Sequence, residues 1–562
     1  MMRAISSLLL LLGTHYAVAH LAGKTECNNY SSRFKKNLDG VCVCNEWQCD
    51  AVSNAYLTLK SDQVGVYTTS KAGDRLTFRT QSVATGGDSS GSAQPVHFVV
   101  EPDVRFQTML GFGGAFTDAA AINVNRLSSA LQTRVLEAYF GNSGLEYSMG
   151  RVPIASCDFS ESVYSYNDVE GDLAMEHFSI DVDRSPRSFK LELIHRALRL
   201  SRESGGRELR LFASSWAPPT WMTRENRTEN CHLKGSPGDK YWKALALYYV
   251  KFIEAYEKEG VPIWGLTVQN EPVQPPLELK KWQSLRLTAD EERDFIKKDL
   301  GPLLKSKYPK IKLISNDDQK PDLMDRISVV DDPEAKKFID GVGVHWYKNF
   351  DFFFFGLGGD FDKLSAFHKQ HPDLFILPTE ACEGDLPDWI GTGNGVKLHD
   401  SKLQWQRAEN YAHDILGDIA NFAAGWMDWN LVLDTTGGPN WAKNNVDAPI
   451  LVDETSGSEF YKQPMYYVMG QLSKFVPSGS VRVNLRTEVS ANWDRVERVA
   501  FVTPAGRVVV VVCNRRDSAV TMSLRVPAAS SSSGQQQQKP QRRRVAVDVP
   551  AHAIQTIIFP VA

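Results

Sequence analysis

The sequence predicts an α/β fold: a (β/α)8 barrel with an accessory β-sandwich made from both ends of the chain. Two observations predict the barrel. Between about residues 105 and 431, eight short apolar runs each end in polar or aromatic residues. Longer segments with helix-like apolar spacing separate them, the rhythm of a closed parallel barrel. A third observation predicts the sandwich. Residues 52–102 and 478–562 contain stretches that alternate apolar and polar at period two, as in Val64-Gly65-Val66-Tyr67-Thr68 and Val481-Arg482-Val483-Asn484-Leu485. A length of 562 residues is itself too great for one core.

From the N-terminus, the first element is a secretory signal over residues 1–19. Arg3 is its basic start, residues 5–12 its apolar middle and Ala17-Val18-Ala19 its small-residue cleavage site. No later run is long and apolar enough to span a bilayer, so a soluble lumenal or secreted protein is expected. Cys27, Cys42, Cys44 and Cys49 then crowd a segment with little core of its own. They read as two disulfides with three possible pairings, zinc being the competing reading. Asn29 and Asn226 head glycosylation sequons. Cys513 ends an apolar run and reads as a core thiol.

The barrel runs are 109–115, 147–155, 209–214, 263–268, 311–315, 342–344, 374–377 and 423–426. Segments 127–140, 190–204, 240–258 and 288–306 carry the helical spacing between them. Residues 530–538, rich in Ser and Gln, read as a solvated hairpin loop with Arg542-Arg543-Arg544 at its charged edge. A net charge of −4 gives no nucleic-acid signal, and twelve His would reverse its sign on protonation in an acidic compartment.

Barrel enzymes place their chemistry at the carboxyl ends of the strands. Those ends offer Asp118, Asp158, Trp216, Glu271, Asp317 with Asp318, Tyr347, Glu380 and Trp429. Carboxylates there could instead cap the following helices, an even choice for Asp118 and Asp317. Aromatics could be core, but Trp216, Tyr347 and Trp429 also suit the C–H faces of a pyranose. Glu271 and Glu380 each follow an apolar run. Two carboxyls facing across a sugar can cleave a glycosidic bond, one as acid/base and one as nucleophile. Beside them, Asn270 could bond the sugar 2-hydroxyl and Arg151 could keep the nucleophile ionised. The acid would need a raised pKa.

Several motifs in order carry a resemblance: Gly111-Phe112-Gly113-Gly114-Ala115, Arg151-Val152-Pro153, Ser156-Cys157-Asp158-Phe159-Ser160, Asn270-Glu271-Pro272, Gly343-Val344-His345-Trp346-Tyr347 and Thr379-Glu380-Ala381-Cys382. Trp426-Met427-Asp428-Trp429-Asn430, Gly437-Gly438-Pro439-Asn440-Trp441 and Tyr461-Lys462-Gln463-Pro464-Met465 continue it. Over nearly all the mature chain the sequence resembles the glucosylceramidases of glycoside hydrolase family 30. The resemblance implies a retaining hydrolase of glucosylceramide, with Glu271 as acid/base and Glu380 as nucleophile about 5–5.5 Å apart. It implies glucose contacts at Asp158, Phe159, Trp216, Asn270, Tyr347, Trp429 and Asn444, with Arg151, His345 and Cys382 behind them. It pairs Cys27 with Cys42 and Cys44 with Cys49. It implies a small antiparallel sheet from 20–53 and 432–462, a sandwich from 54–104 and 479–562, and a barrel from 105–431 and 463–478.

The resemblance further implies the lysosomal lumen, with secretion as the alternative, no metal or organic cofactor, and help from a saposin-like activator and anionic lipid. Three features depart from the family pattern: Val268-Gln269 before Asn270, the 530–538 stretch, and the loops after Glu271 and Tyr347. The second of these loops holds Phe350 and a run of four Phe at 352–355, an apolar patch suited to a ceramide tail or membrane surface. The competing reading packs it into the next helix. Hydrolysis of other β-glucosides, such as steryl glucosides or glucans, is the alternative activity, and a non-catalytic lipid carrier on the same scaffold is a third reading.

Overall fold

The computed structural model describes residues 26–85, 97–203, 207–273, 280–351, 356–357, 360–388, 390–488, 492–527 and 542–561. The signal segment, the Phe run at 352–355 and the Ser/Gln stretch at 530–538 lie outside the described residues.

Eight parallel strands form the barrel: β1 (Gly111–Ala115), β2 (Met149–Ile154), β3 (Arg210–Ser215), β4 (Ile263–Thr267), β5 (Lys312–Gln319), β6 (Gly341–His345), β7 (Phe375–Glu380) and β8 (Gly425–Asn430). Neighbours in sequence are neighbours in space, and β8 pairs with β1. The ring closes between β7 and β8 through the Ile376–Ala423 bridge and the Ala424 N–H donating to the Ile376 carbonyl at 2.8 Å. Met149, Phe212, Ile314, Leu377 and Met427 plug the interior from five different strands. This apolar layer makes the barrel a packed core, and it is the floor beneath the polar residues of the strand ends.

The connecting helices bury one face each. α1 (Asp118–Arg126) is capped by Thr117, whose hydroxyl accepts from the Ala120 N–H, and α2 (Ser129–Phe140) by Ser128. Asp118 therefore neither caps its helix nor reaches the barrel mouth. It is buried beside Lys190 and accepts from Ser160, Tyr164 and Ser188. α3 (Lys190–Glu203) packs on α1 and α2. α4 (Lys240–Lys258) is capped by Asp239 and buries Trp242, Leu245, Tyr249, Phe252 and Tyr256 at helical spacing. The segment expected to be a helix over 288–306 is broken by a π turn at Ile296–Leu300 before resuming at Gly301–Lys307.

The β-sandwich is one hydrogen-bonded ten-stranded sheet, with strands such as Gln63–Ser70 and Phe98–Thr108 from one chain end and Val481–Thr487 and Ala553–Phe559 from the other. Strand Val508–Asn514 shows why it is apolar throughout. Val508, Val510 and Val512 face the sandwich interior, and Val509, Val511 and Cys513 face the core shared with the barrel. A four-stranded sheet joins Cys42–Cys44 to Phe460–Lys462, Ile450–Val452 and Val432–Asp434. Its outermost pairing, Val432–Asp434 with Ile450–Val452, is parallel where antiparallel pairing was expected, because the two strands are joined by a crossover through the site wall and not by a hairpin. Disulfides join Cys27 to Cys42 and Cys44 to Cys49, and Cys157, Cys231, Cys382 and Cys513 are buried free thiols. Asn226 is exposed and Asn29 half-buried.

Candidate active site

A polar layer sits directly above the apolar plug. Arg151, the third residue of β2, is fully buried and reaches four partners. Its Nη1 donates to Glu380 Oε2, its Nη2 to Asn270 Oδ1 at 2.8 Å and Asp317 Oδ2 at 2.9 Å, and its Nε to Ser214 Oγ at 3.2 Å. Thr379 donates to Asp317 Oδ1 at 2.6 Å, and Thr267 donates to Ser214 at 2.8 Å. Ser214 of β3 and Asp317 of β5 thus meet on one guanidinium, each held in turn by a threonine, Thr267 of β4 and Thr379 of β7. A bulge in β5 between Asn316 and Asp318, with Asp317 in left-handed backbone (φ +52°), turns the Asp317 carboxylate into this layer.

Glu380 ends β7. Beside Arg151, it accepts from the Tyr347 hydroxyl at 2.9 Å, and the same hydroxyl lies 3.4 Å from Cys382 Sγ. Glu271 follows β4 in left-handed backbone (φ +43°), pinned by its N–H donating to the Asp317 carbonyl at 2.9 Å. Its Oε1 accepts from Gln319 Nε2 at 2.8 Å and from His345 Nδ1 at 3.0 Å. Its Oε2 accepts from Lys280 Nζ at 2.6 Å. One oxygen of Glu271, one of Glu380 and a ring nitrogen of His345 all lie within 4.8 Å of one another. The two carboxyls are therefore close enough for one sugar carbon and its leaving oxygen to lie between them.

The electrostatics balance. Burial opposes a charge on His345, but Glu380, Asp317 and Glu271 outweigh it and push the imidazole up to about 10. The ring is then an imidazolium, donating from Nδ1 to Glu271 and from Nε2 to Asp317 at 3.1 Å. Burial alone would raise Glu271, but the Lys280 ammonium and the His345 ring hold it well below the usual carboxylate range. This corrects the expectation of a raised acid: in the resting site a cation sits on the carboxylate. Burial would likewise raise Asp317, but Arg151 and His345 hold it down. Arg151, Lys280 and His345 thereby face Glu271, Glu380 and Asp317, three cations against three anions. Burial pushes Asp158 up to about 7, against its bond from Asn444 and with help from the Glu380 charge. Burial and the Glu271 charge push Asp318 up to about 7. Both are neutral in acid, so the site is charge-balanced there.

A cavity of about 310 Å³ opens over these groups, lined by Asp158, Phe159, Trp216, Asn270, Glu271, Tyr347, Glu380, Cys382, Trp429 and Asn444, and on its outer side by Lys280, Trp282, Asp318 and Gln319. Its volume suits one sugar with the start of an aglycone. Trp216 and Trp429 stack at 5.1 Å and 21°, and Arg151 lies behind both rings. Asn444 Nδ2 donates to Asp158 Oδ2 at 2.7 Å, while Asn444 Oδ1 has no protein partner among the described residues. Sequence reasoning missed Ser214, Thr379, Gln319 and Lys280. The first two point inward two residues from other inward positions, a period-two signal. Gln319 directly follows Asp317 and Asp318 at the end of β5. Lys280 comes from a loop and left no such signal. A larger cleft of about 500 Å³ adjoins through Tyr347, Asp385 and Leu386 but contains neither central carboxylate.

A parallel barrel that sets paired carboxylates across an aromatic-walled pocket is the construction of a carbohydrate-cleaving enzyme. Residues 109–476 match the glycosyl hydrolase family 30 TIM-barrel domain, and residues 479–557 match the family's beta sandwich domain. The chain belongs to glycoside hydrolase family 30. Putative glucosylceramidase 4 of Caenorhabditis elegans is 38% identical over 517 residues, 91% of this chain and 93% of its own. Lysosomal acid glucosylceramidase of Mus musculus is 38% identical over 490 residues, 87% of this chain and 89% of its own. Among solved structures, SrfJ from Salmonella typhimurium has a TM-score of 0.74 at 25% identity, covering 88% of this chain and 99% of that one.

Proposed function

We propose that this enzyme hydrolyses the β-glucosidic bond of glucosylceramide to glucose and ceramide by double displacement. Glu380 attacks the anomeric carbon, and Glu271 gives a proton to the departing ceramide oxygen. A glucosyl-enzyme forms on Glu380. Glu271, now a base, takes a proton from water, which releases glucose with its β-configuration retained. The observation that carries this reading is the approach of the two carboxylates to within 4.8 Å, since an inverting pair needs about 6.5–9.5 Å to admit a water.

The surrounding residues fit the same scheme. Arg151 and Tyr347 donate to Glu380 and aim it, and Asn270, fixed by Arg151, faces the sugar 2-hydroxyl. Asp158 with Asn444 takes further hydroxyls, Trp216 and Trp429 supply a face for C–H groups, and Phe159 packs edge-on against Trp429 at 5.9 Å. The identity to glucosylceramidases over most of the chain supports the glycolipid substrate. We assign the enzyme to the lysosomal lumen, where a saposin-like activator, anionic lipid and peripheral membrane contact would present the substrate. The mouse relative's name and a pocket that is charge-balanced in acid support that assignment.

The test is release of glucose at about pH 5 from glucosylceramide in anionic micelles, beside a soluble aryl β-glucoside. Cleavage of both, lost in Glu380→Gln, is expected. Cleavage of the aryl glucoside alone would replace glucosylceramide by another β-glucoside, and cleavage of neither would favour the carrier reading.

A further inference from the structure

Glu271 has two oxygens, and the structure treats them differently. Oε1 already accepts from Gln319 and from the His345 imidazolium. With two donors on it, Oε1 cannot also carry a proton. The acid proton must therefore ride on Oε2, and Oε2 is the oxygen that Lys280 Nζ holds at 2.6 Å. The pair is nearly dehydrated, each side chain being 10% exposed. Lys280 does not reach the carboxylate by chance orientation of a long chain alone. Its backbone is clasped by Asn230, whose Nδ2 donates to the Lys280 carbonyl at 2.6 Å and whose Oδ1 accepts from the Lys280 N–H at 3.0 Å. Asn230 is itself held by its N–H donating to Ser284 Oγ at 2.9 Å.

We propose that Lys280 is a positioning residue that occupies the proton-carrying oxygen of Glu271 until a bound aglycone displaces it, and so decides which leaving groups the enzyme cleaves. The proposal rests on Glu271 being the acid/base. With Oε2 clamped, Glu271 is a ready base for the hydrolysis of the glucosyl-enzyme but cannot serve as the acid for bond cleavage. Protonation of the leaving oxygen requires the ammonium to move. Two kinds of aglycone are then favoured: those that leave with little protonation and do not need the ammonium to move, and those that offer the ammonium another oxygen acceptor near the glycosidic bond. Ceramide, with an N-acyl group on the carbon next to its glycosylated carbon and a hydroxyl on the carbon after that, is of the second kind. A sterol or an unactivated phenol, with no such acceptor, is cleaved more slowly, because the ammonium must leave Oε2 unaided.

The other titratable or charged groups around Glu271 are Asp317 and Asp318 from β5, His345 from β6, Glu380 from β7 and Asp158 beyond β2, with Lys348 and Asp385 on the cavity lining. Among them His345 is the second cation on Glu271, and it binds the other oxygen. Loss of Lys280 therefore frees Oε2 while leaving the Oε1 clasp in place. Lys280 favours the ionised carboxylate, so its removal raises the pH at which Glu271 loses its proton.

The experiment compares kcat/KM against pH in Lys280→Met, Lys280→Arg and the unaltered enzyme, with a poor-leaving-group aryl β-glucoside and with dinitrophenyl β-glucoside. For the poor leaving group, Lys280→Met is expected to move the basic limb up by about 1 pH unit or more. Lys280→Arg should restore the original limb. Dinitrophenyl glucoside should show no such shift in kcat/KM, while its kcat falls at acid pH because the base is then protonated. If Lys280→Met misfolds, Asn230→Ala loosens the clasp and should move the limb part of the way. An unmoved basic limb in the folded variant overturns the proposal. Glu271→Gln serves as the control: absence of a leaving-group split there would instead overturn Glu271 as the acid/base.

Discussion

Glu380 and Glu271 lie within 4.8 Å of each other, yet they are held by different parts of the molecule. Glu380 is fixed from the barrel strands, by Arg151 within β2 and by Tyr347 just past β6. Glu271 shares one oxygen between the β5 and β6 ends, and its other oxygen belongs to Lys280 on a loop. The first arrangement draws its donors from the barrel wall and suits the nucleophile role proposed for Glu380, which must attack one point in space. The second leaves one oxygen to a side chain from a loop, and suits the acid/base role proposed for Glu271, which exchanges a proton twice in each cycle.

Breaking the strand-held side should have the largest effect. Glu380→Gln is expected to lower turnover of glucosylceramide and aryl glucoside alike by roughly 10⁴-fold or more, read as glucose released. Glu271→Gln sharpens the contrast. It should lower kcat/KM for poor leaving groups by about 10²–10⁴-fold and leave the first step with dinitrophenyl glucoside nearly unchanged, which burst kinetics would measure. Arg151→Met tests the barrel-wall donor itself. It strands Asp317 and Glu380 as buried anions, at a cost of about 3–5 kcal/mol in stability measured by denaturant unfolding. Asp317 is held low by Arg151, so that cost should shrink as pH falls and Asp317 can take a proton.

The barrel was legible because each strand end carries a polar or aromatic residue immediately after an apolar run. Glu380, Trp216, Tyr347 and Trp429 sit on that pattern and Glu271 just beyond it, whereas Arg151 lies inside β2. Asp118 shows its limit. It follows an apolar run in the same way, but Thr117 takes the cap and Asp118 turns outward to Lys190 and three hydroxyls. A strand end does not reveal which of two adjacent residues faces the mouth. The bulge that aims Asp317 and the loop that delivers Lys280 are tertiary features without a period, so the ionic state of Glu271 could not be read from the sequence. The acid expected to be raised is held low because its nearest neighbour lies nine residues on, in a segment with no regular spacing.

The smallest effect concerns the whole pocket. Asp158 and Asp318 are pushed up to about 7 in the folded enzyme, against about 3.9 in an unfolded chain. Groups raised on folding stabilise in acid, and that contribution is lost as pH rises through their folded values. The melting temperature should therefore fall by about 2–4 °C between pH 5 and pH 8, and Asp318→Asn should flatten part of that fall in a calorimetric scan.

The division of labour between the two carboxylates is tested most directly by trapping the intermediate. A 2-deoxy-2-fluoro-β-glucoside with a good leaving group should load the enzyme faster than water can free it. Digestion and mass spectrometry should then find one glucosyl label, on the peptide bearing Glu380. A label on Glu271 or any other residue would contradict the account, as would glucose first released as the α-anomer with no covalent species.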